Sequence, residues 1–204
     1  MQRGIKIAVI VVIVAAGVAL TSPLFFETEI NEPLPTALDQ IEEGLTFDAL
    51  ENMDDEKRQD IVNKMPEEVK DMVMEKAATM TRTVSEGMDD LMDKSESQDA
   101  LAIIKTGKFE GLAGHEGQGI AKIISVGEKS FLRFEDFKVT NGPALHVYMT
   151  QDGDVQNGIN LGKLKGSSGA QNYVLADDID TEMYSTAVVY CKFFGVYFAE
   201  ATLN

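Results

Sequence analysis

The sequence predicts an all-β antiparallel sandwich or barrel as the C-terminal domain, preceded by an N-terminal transmembrane helix and an acidic α-helical stalk. Three observations support this organisation: a long apolar run at the N-terminus, a concentration of acidic residues in the middle of the chain, and a change to short β-rich runs after residue 100. We therefore divide the chain into residues 1–26, 27–100 and 101–204.

The first segment is predicted to be a signal anchor. Residues 7–26 carry no charge, and a helix of that length rises about 30 Å, which matches the thickness of a bilayer core. Arg3 and Lys6 precede the run and acidic residues follow it, so the positive-inside rule places the rest of the chain outside the cytoplasm. A signal peptide cleaved near Gly17 is the alternative, but the run continues to Phe26 and favours an uncleaved anchor. We expect a single-pass protein of the cell membrane with an extracytoplasmic C-terminal domain.

The middle segment carries most of the charge. The chain has 34 acidic and 18 basic side chains, a formal net charge of −16, and 22 of the acids but only 7 of the bases lie in residues 27–100. Affinity for nucleic acid depends mainly on Lys and Arg, so a nucleic-acid partner is excluded. One cysteine excludes an internal disulfide, and two histidines exclude a three-histidine zinc site.

Residues 27–100 are predicted to form a helical stalk and a polar linker at 95–99. Pro66 suits the first turn of a new helix, so we expect two or three helices rather than one rod. The methionines in the segment are interpreted as an adaptable apolar stripe rather than as thioether ligands for Cu(I). Apolar residues recur at spacings near three and four, the period of one helix face: Ile41, Leu45, Leu50, Met53, Ile61, Met65, Val69, Met72, Val73, Met80, Val84, Met88 and Leu91.

The last segment is predicted to be all-β. Short runs rich in Val, Ile, Phe and Tyr are separated by glycine, asparagine and proline, which are turn residues. Six to eight strands in about a hundred residues indicate an antiparallel sandwich or barrel. The clearest runs are residues 120–126, 130–134, 144–150, 171–175, 184–193 and 196–201.

Several ordered motifs in residues 103–204 resemble the DM thirteen (DM13) domain, also called the electron-transfer DM domain. The first half matches in the motifs Gly107-Lys-Phe109, His115, Gly119, Asp136-Phe137, Asn141-Gly142-Pro143 and Val147-Tyr148. The second half matches in the motifs Leu161-Gly162-Lys-Leu164-Lys165-Gly166, Gly169-Ala-Gln171-Asn172-Tyr173, Asp180, Tyr184 and Val188-Val-Tyr190-Cys191-Lys-Phe193. Ala144 departs from the family, which usually has an acidic residue after Gly-Pro.

The resemblance implies a β-sandwich found in extracellular and membrane-attached proteins, sometimes beside heme-binding domains. It also implies a redox role for a single cysteine, which is Cys191 here. We expect no intrinsic cofactor, and a redox partner protein would itself carry heme or copper. Among the residues that the resemblance covers, we expect His115, Asp136, Tyr148 and Tyr173 to line a pocket.

The residues around Cys191 leave two interpretations open. Ala187, Val189, Cys191 and Phe193 share one strand face, and all are apolar, which favours a buried and unreactive thiol. A lone cysteine in an oxidising compartment, however, suggests a metal, a partner thiol or an electron relay. A blue-copper site is not supported, because in its strand His146 faces away from Met149.

Two functions follow from these observations. The leading hypothesis is a membrane-anchored redox or electron-transfer module that acts through Cys191 and a partner protein. The alternative is a non-catalytic module that binds a cell-surface polymer or protein and in which Cys191 only fills the core. The residues show no hydrolase or transferase constellation and no metal site, so we do not expect an enzyme in the ordinary sense.

Overall fold

The structure is a computed structural model that describes residues 38, 41, 44–46, 49–50, 53–94 and 101–204. The predicted transmembrane helix, the proline-containing connector after it and the polar linker at residues 95–99 lie outside these residues. In the described part of the chain, no helix is long and apolar enough to cross a membrane. Membrane anchoring therefore stays a prediction. The described residues belong to one compact unit.

The predicted helices of the middle segment are confirmed. The Asp54 side chain caps the first helix by accepting a hydrogen bond from the backbone N–H of Lys57 at 2.8 Å. Pro66 is the N-cap of the second helix, and the two residues after it are acidic, where the helix dipole favours negative charge. The described helices are α1 (Asp55–Lys64), α2 (Glu67–Thr79) and α3 (Asp89–Lys94).

In the described part of the chain, ten strands form two five-stranded sheets. The strands are β1 (Thr83–Ser85), β2 (Leu101–Lys108), β3 (Glu110–Gly111), β4 (Gly117–Val126), β5 (Lys129–Val139), β6 (Leu145–Thr150), β7 (Ile159–Lys163), β8 (Ser168–Leu175), β9 (Thr186–Cys191) and β10 (Val196–Thr202). A short 3-10 helix, Val155–Asn157, precedes β7. Sheet A has the strand order β1-β8-β5-β4-β2, and sheet B has the order β3-β10-β9-β6-β7. The pairs are antiparallel except β1 with β8.

The two sheets pack face to face around one apolar core, which confirms the predicted sandwich. In this core, the ring of Phe134 contacts the rings of Phe109 and Phe137. The distances between ring centroids are 4.7 Å to Phe109 and 4.9 Å to Phe137. Val189 of β9 and Phe198 of β10 are fully buried in the same cluster. Buried phenylalanine rings in edge-to-face contact contribute strongly to such a core.

All six runs predicted as strands overlap strands of the structure. Strands β1, β2, β3 and β7 have no counterpart among those predicted runs, and all of them except the eight-residue β2 are five residues or shorter. Val84 was expected on a helix face, but it lies in β1, which pairs in parallel with β8. Thr83 and its partner Ser168 are far apart in sequence, so local periodicity carries no signal for this pairing.

Helices α1 and α2 do not form the separate stalk that the sequence predicts, because they pack on the sandwich. Ile61 and Met65 of the α1 region and Val73 of α2 are buried in the same hydrophobic cluster as the sandwich core. The physical reason is that helices of 10 and 13 residues are marginal in water by themselves. Their apolar stripe is stable only when it packs against another layer.

A polar network also joins the segment after β1 to sheet A. Glu86 pairs with Lys165 at 2.8 Å and accepts a hydrogen bond from the backbone N–H of Asn172. The buried Arg133 guanidinium donates to the backbone oxygen of Glu86 at 3.0 Å and to Glu135. Burial opposes ionisation of Glu135, but hydrogen bonds from Lys122 and Arg133 hold its pKa below the usual value. The network fixes the loop between β1 and α3 to sheet A.

Candidate functional site

Strand β9 places Cys191 on the inner face of sheet B. Ala187, Val189 and Cys191 are each 0% exposed and lie in the main hydrophobic cluster. Tyr190, between two of them, points to the outer face and is only half-buried. The period-two expectation for this strand is therefore confirmed.

The Cys191 thiol is held in a closed environment. Its Sγ donates a hydrogen bond to the backbone oxygen of Pro143 at 2.9 Å. Burial raises the pKa of the thiol to about 12, although backbone N–H groups of Phe194 and Phe193 and the charge of Arg58 act in the opposite direction. Because the thiolate is the reactive form, burial of this thiol disfavours its reaction in the closed fold.

The Gly-Pro motif builds the wall over the thiol. A Cβ on Gly142 would lie 2.5 Å from Cζ of the buried Phe198 ring, so only glycine fits against this ring without displacement. Ala144 has a φ of 51°, a left-handed conformation that turns the chain into β6. Its backbone oxygen accepts a hydrogen bond from the N–H of Lys192 at 3.1 Å. The motif thus has a structural role at the end of β9.

The outer face of sheet B, in contrast, borders an open cavity. We call it the tyrosine cavity; its volume is about 540 Å³, within the range of small-molecule sites. Helix α1 forms one wall, and the 3-10 helix together with strands β6, β7 and β9 forms the others. Its lining consists of Glu56, Arg58, Gln59, Tyr148, Val155, Gln156, Asn160, Tyr190 and Lys192.

Three tyrosines form a continuous aromatic cluster, and two of them, Tyr148 and Tyr190, line this cavity. The rings of Tyr148 and Tyr190 meet edge to face at 5.9 Å, and those of Tyr190 and Tyr197 at 5.0 Å. The amide of Asn160 donates to the Tyr148 hydroxyl at 3.2 Å. The Tyr197 hydroxyl accepts a hydrogen bond from the N–H of Val155 at 3.4 Å. The cluster therefore presents fixed rings and orientated polar groups.

The other predicted pocket residues do not share this cavity with Tyr148. His115 lies in the loop between β3 and β4 and stacks on Phe198 with a centroid distance of 3.7 Å; burial lowers its pKa. Asp136 is exposed at a bulge in β5, with a φ of 48°. Tyr173 is buried, donates to Gln171 at 2.8 Å and has its pKa raised by burial. The predicted four-residue pocket is thus not one site.

The cavity contains residues that the sequence pattern does not indicate as site residues. Tyr190 could have been chosen, because the alternation along β9 places it opposite Cys191. Arg58 and Gln59 had no such signal, since helical periodicity identifies a face of α1 but not the sheet against which it packs. Arg58 is 2% exposed and donates to the backbone oxygen of Met53 at 2.9 Å. It lines the cavity and also acts electrostatically on Cys191.

Side chains of the types that bind metal ions are dispersed in the structure. Met149 is buried in the core, whereas His146, on the opposite face of β6, forms a hydrogen bond with Asn160 at 3.2 Å. Across the ranges that the structure describes, no group of three His, Cys, Asp or Glu side chains is placed to hold a metal ion.

Comparison with protein families finds a match that lies within the sandwich. Residues 108–203 match the family model described as electron transfer DM13, and this range contains β3 to β10. No curated protein and no solved structure matches the chain.

Proposed function

Starting from a DM13 domain at residues 108–203, we propose that this chain is an extracytoplasmic binding module anchored in the membrane, with the tyrosine cavity as its ligand site. The observation that carries the proposal is the difference between the two faces of sheet B. The Cys191 thiol is 0% exposed, whereas the outer face has an open cavity with aromatic and polar walls. This favours the binding module over a thiol redox centre.

The lining indicates a ligand rich in hydroxyl groups. Gln59, Gln156 and Asn160 line the cavity, and each side-chain amide can both donate and accept hydrogen bonds. Tyr148 and Tyr190 add apolar ring surface together with polar hydroxyls. A saccharide unit of a cell-surface polymer has this combination of apolar faces and hydroxyl edges. We therefore propose a polysaccharide as the ligand class.

Affinity electrophoresis of the full-length chain in non-ionic detergent tests this proposal. Gels containing dextran, laminarin or alginate are compared with a plain gel. We expect at least one polysaccharide to retard the chain and Gln59→Ala to abolish most of the retardation. The matched control is Asn63→Ala, an exposed amide on the same helix and outside the cavity lining. Retardation by none of the three polymers, or equal retardation of both variants, would contradict the proposal.

The membrane anchor is the second part of the proposal. Its support is the uncharged run of residues 7–26 after Arg3 and Lys6. We expect the chain to remain with the membrane fraction after alkaline washing, and added protease to digest the C-terminal domain on intact cells. Replacing four residues of the run by lysine should release the chain from membranes. Release of the unaltered chain by the wash would contradict the anchor.

A redox role for Cys191 is the second candidate. The family description as an electron-transfer domain supports it, and so do the Arg58 charge and the N–H groups of Phe193 and Phe194, all of which favour a thiolate. The step would be a thiol–disulfide exchange: the Cys191 thiolate attacks a partner disulfide, forms a mixed disulfide and releases one partner thiolate. Burial of Cys191 disfavours deprotonation of its thiol and restricts the access of a partner disulfide.

Oxidised glutathione distinguishes this candidate from core packing. If Cys191 is redox active, the native chain gains one glutathione per molecule in mass spectrometry, and Cys191→Ser gains none. If Cys191 only packs the core, the adduct forms only in denaturant. The second result would remove the redox role while leaving the polysaccharide proposal intact.

A further inference from the structure

Strand β2 lies at one end of sheet A and differs from the other edge strands. Within the described ranges, the edge strands are β1 and β2 in sheet A and β3 and β7 in sheet B. Strands β1, β3 and β7 are five residues or shorter, whereas β2 has eight residues. Short edge strands are a common protection against pairing with another chain, because an edge presents unpaired backbone groups. Strand β2 lacks this protection.

The C-terminal half of β2 is closed by the chain itself. The backbone N–H of Thr106 donates to the carbonyl oxygen of Asn204 at 3.1 Å, and the N–H of Asn204 donates to the carbonyl oxygen of Thr106 at 3.0 Å. A Cβ on Gly107 would lie 2.2 Å from the backbone oxygen of Thr202, so the end of β10 passes directly beside this half. Residues 101–105, in contrast, pair with β4 alone among the described strands.

Three exposed apolar side chains lie around this open half of the edge. Ile103 and Ile104 of β2 are about half exposed, and so is Met183. A bulge between Ile103 and Lys105 leaves Ile104 without a partner residue in β4. Lys105 donates to the backbone oxygen of Thr181 at 3.1 Å, so the turn that carries Met183 is held beside β2. We call Ile103, Ile104 and Met183 the β2 patch.

The local charge of the edge favours a contact between copies of this acidic chain. With 34 acidic and 18 basic side chains, two copies repel each other, and the chain is also repelled by an anionic lipid surface. Strand β2 contains two lysines and no acidic residue. Lys105 pairs with Glu182 at 2.9 Å, which balances the charge next to the patch. Two copies can therefore approach at this edge without bringing negative charges together.

We propose that β2 forms an interface between two copies of this chain, related by a two-fold axis beside Ile103 and Ile104. A strand that lies antiparallel to its own copy is self-complementary, so one edge supplies both sides of the contact. The bulge hinders a long ladder of hydrogen bonds, so side-chain packing makes most of the contact. The β2 patch of each copy is thereby removed from water, which is the favourable term.

Cross-linking of the purified full-length chain in non-ionic detergent tests the interface. In a Cys191→Ala background, Ile104→Cys is compared with Val174→Cys, because Val174 is also an exposed apolar residue of sheet A but lies in β8, away from this edge. After oxidation with copper phenanthroline, we expect about tenfold or more disulfide-linked dimer from Ile104→Cys than from Val174→Cys, since a disulfide requires Cα atoms within about 7 Å. Equal cross-linking of the two variants, or none with Ile104→Cys, would overturn the proposal.

Sedimentation equilibrium in the same detergent measures the strength of the contact. Ile103→Lys/Ile104→Lys places like charges on both sides of the two-fold axis, so the dissociation constant of the dimer should rise by about tenfold or more. Val174→Lys is the matched control and should leave it unchanged. Circular dichroism checks that both variants fold. A chain that is monomeric at every concentration, or a dimer of equal affinity in both variants, would count against the interface.

A lipid surface as the partner of the β2 patch would give a different result. Vesicles would then protect the thiol of Ile104→Cys from a water-soluble maleimide, and no cross-linked dimer would form. That combination would replace the dimer by a membrane contact. The outcome is independent of polysaccharide binding, because β2 contributes no residue to the lining of the tyrosine cavity.

Discussion

The two faces of strand β9 have opposite properties. On the inner face, Cys191 is surrounded by core residues, and its thiol is bound to the carbonyl of Pro143. On the outer face, Tyr190 belongs to a half-buried aromatic cluster that borders an open cavity. The residue with the most reactive chemistry is therefore the less accessible one. This contrast is the basis for proposing the outer face as the ligand site, while the inner face is part of the hydrophobic core.

The largest effect is expected from truncating the inner face. Phe198→Ala removes a fully buried ring that contacts Gly142 and stacks on His115. The loss of burial and the cavity left behind should lower the free energy of unfolding by about 3–5 kcal/mol. Urea unfolding followed by circular dichroism measures the change. A loss below about 1 kcal/mol would show that the inner face is not closely packed and would weaken the contrast between the faces.

The second prediction concerns the stability of the inner face at alkaline pH. The pKa of Cys191 is raised to about 12 in the folded state, while an unfolded cysteine titrates near 8.5. Between these values the folded chain retains a proton that the unfolded chain loses, so stability falls as pH rises. One proton corresponds to about 1.4 kcal/mol per pH unit.

The control for this prediction is Cys191→Ala. Lysines and tyrosines also titrate at alkaline pH, so the informative quantity is the difference between the two chains in urea midpoint at pH 8 and pH 10. We expect the unaltered chain to lose more stability than the variant over this interval. Identical losses would mean that Cys191 ionises normally in the folded state.

A smaller effect is expected at the outer face. Tyr190→Phe keeps the edge-to-face contacts with Tyr148 and Tyr197 and removes only a hydroxyl at the cavity wall. The free energy of unfolding should change by about 1 kcal/mol or less, while retardation by the polysaccharide falls. A loss of stability as large as that of Phe198→Ala would remove the distinction between the two faces.

The smallest expected effect is the pH dependence of stability that arises from His115. This residue lies in the loop after β3 and stacks on Phe198. Burial lowers its pKa in the folded state, so the unfolded chain binds a proton more readily. Its contribution to stability is present above about pH 6.5 and is lost as pH falls from there through the lower folded pKa. Urea midpoints at pH 7.5 and pH 5.5 should therefore differ more in the unaltered chain than in His115→Gln. An equal difference would place His115 in a solvent-like environment.

The sandwich could be predicted from sequence because its signals are local. Each of the six longer runs has β-branched and aromatic residues between turn residues, and each overlaps a strand. The sequence does not predict the packing of α1 and α2 on the sandwich, because their acidic face is typical of a solvated spacer. An apolar helix face requires a partner, but periodicity does not identify it. The pairing of Thr83 with Ser168 is likewise a long-range contact.

The candidate site was only partly predictable for the same reason. Cys191 could be assigned to the inner face by alternation along its strand, and Tyr148 was expected in a pocket. Arg58 and Gln59 join Tyr148 only because α1 packs across sheet B, which no local pattern specifies. The family match covers residues 108–203 and therefore leaves α1 outside it.

The rate of Cys191 alkylation tests most directly whether the thiol belongs to the closed core. The full-length chain is treated with iodoacetamide at pH 8, with and without denaturing urea, and modification is followed by mass spectrometry. Because reaction requires the fold to open, we predict that the native rate is about 10³-fold or more below the unfolded rate. The native rate should also rise with urea below the unfolding transition. A native rate within about tenfold of the unfolded one, with the fold intact, would contradict the account and favour a redox centre at Cys191.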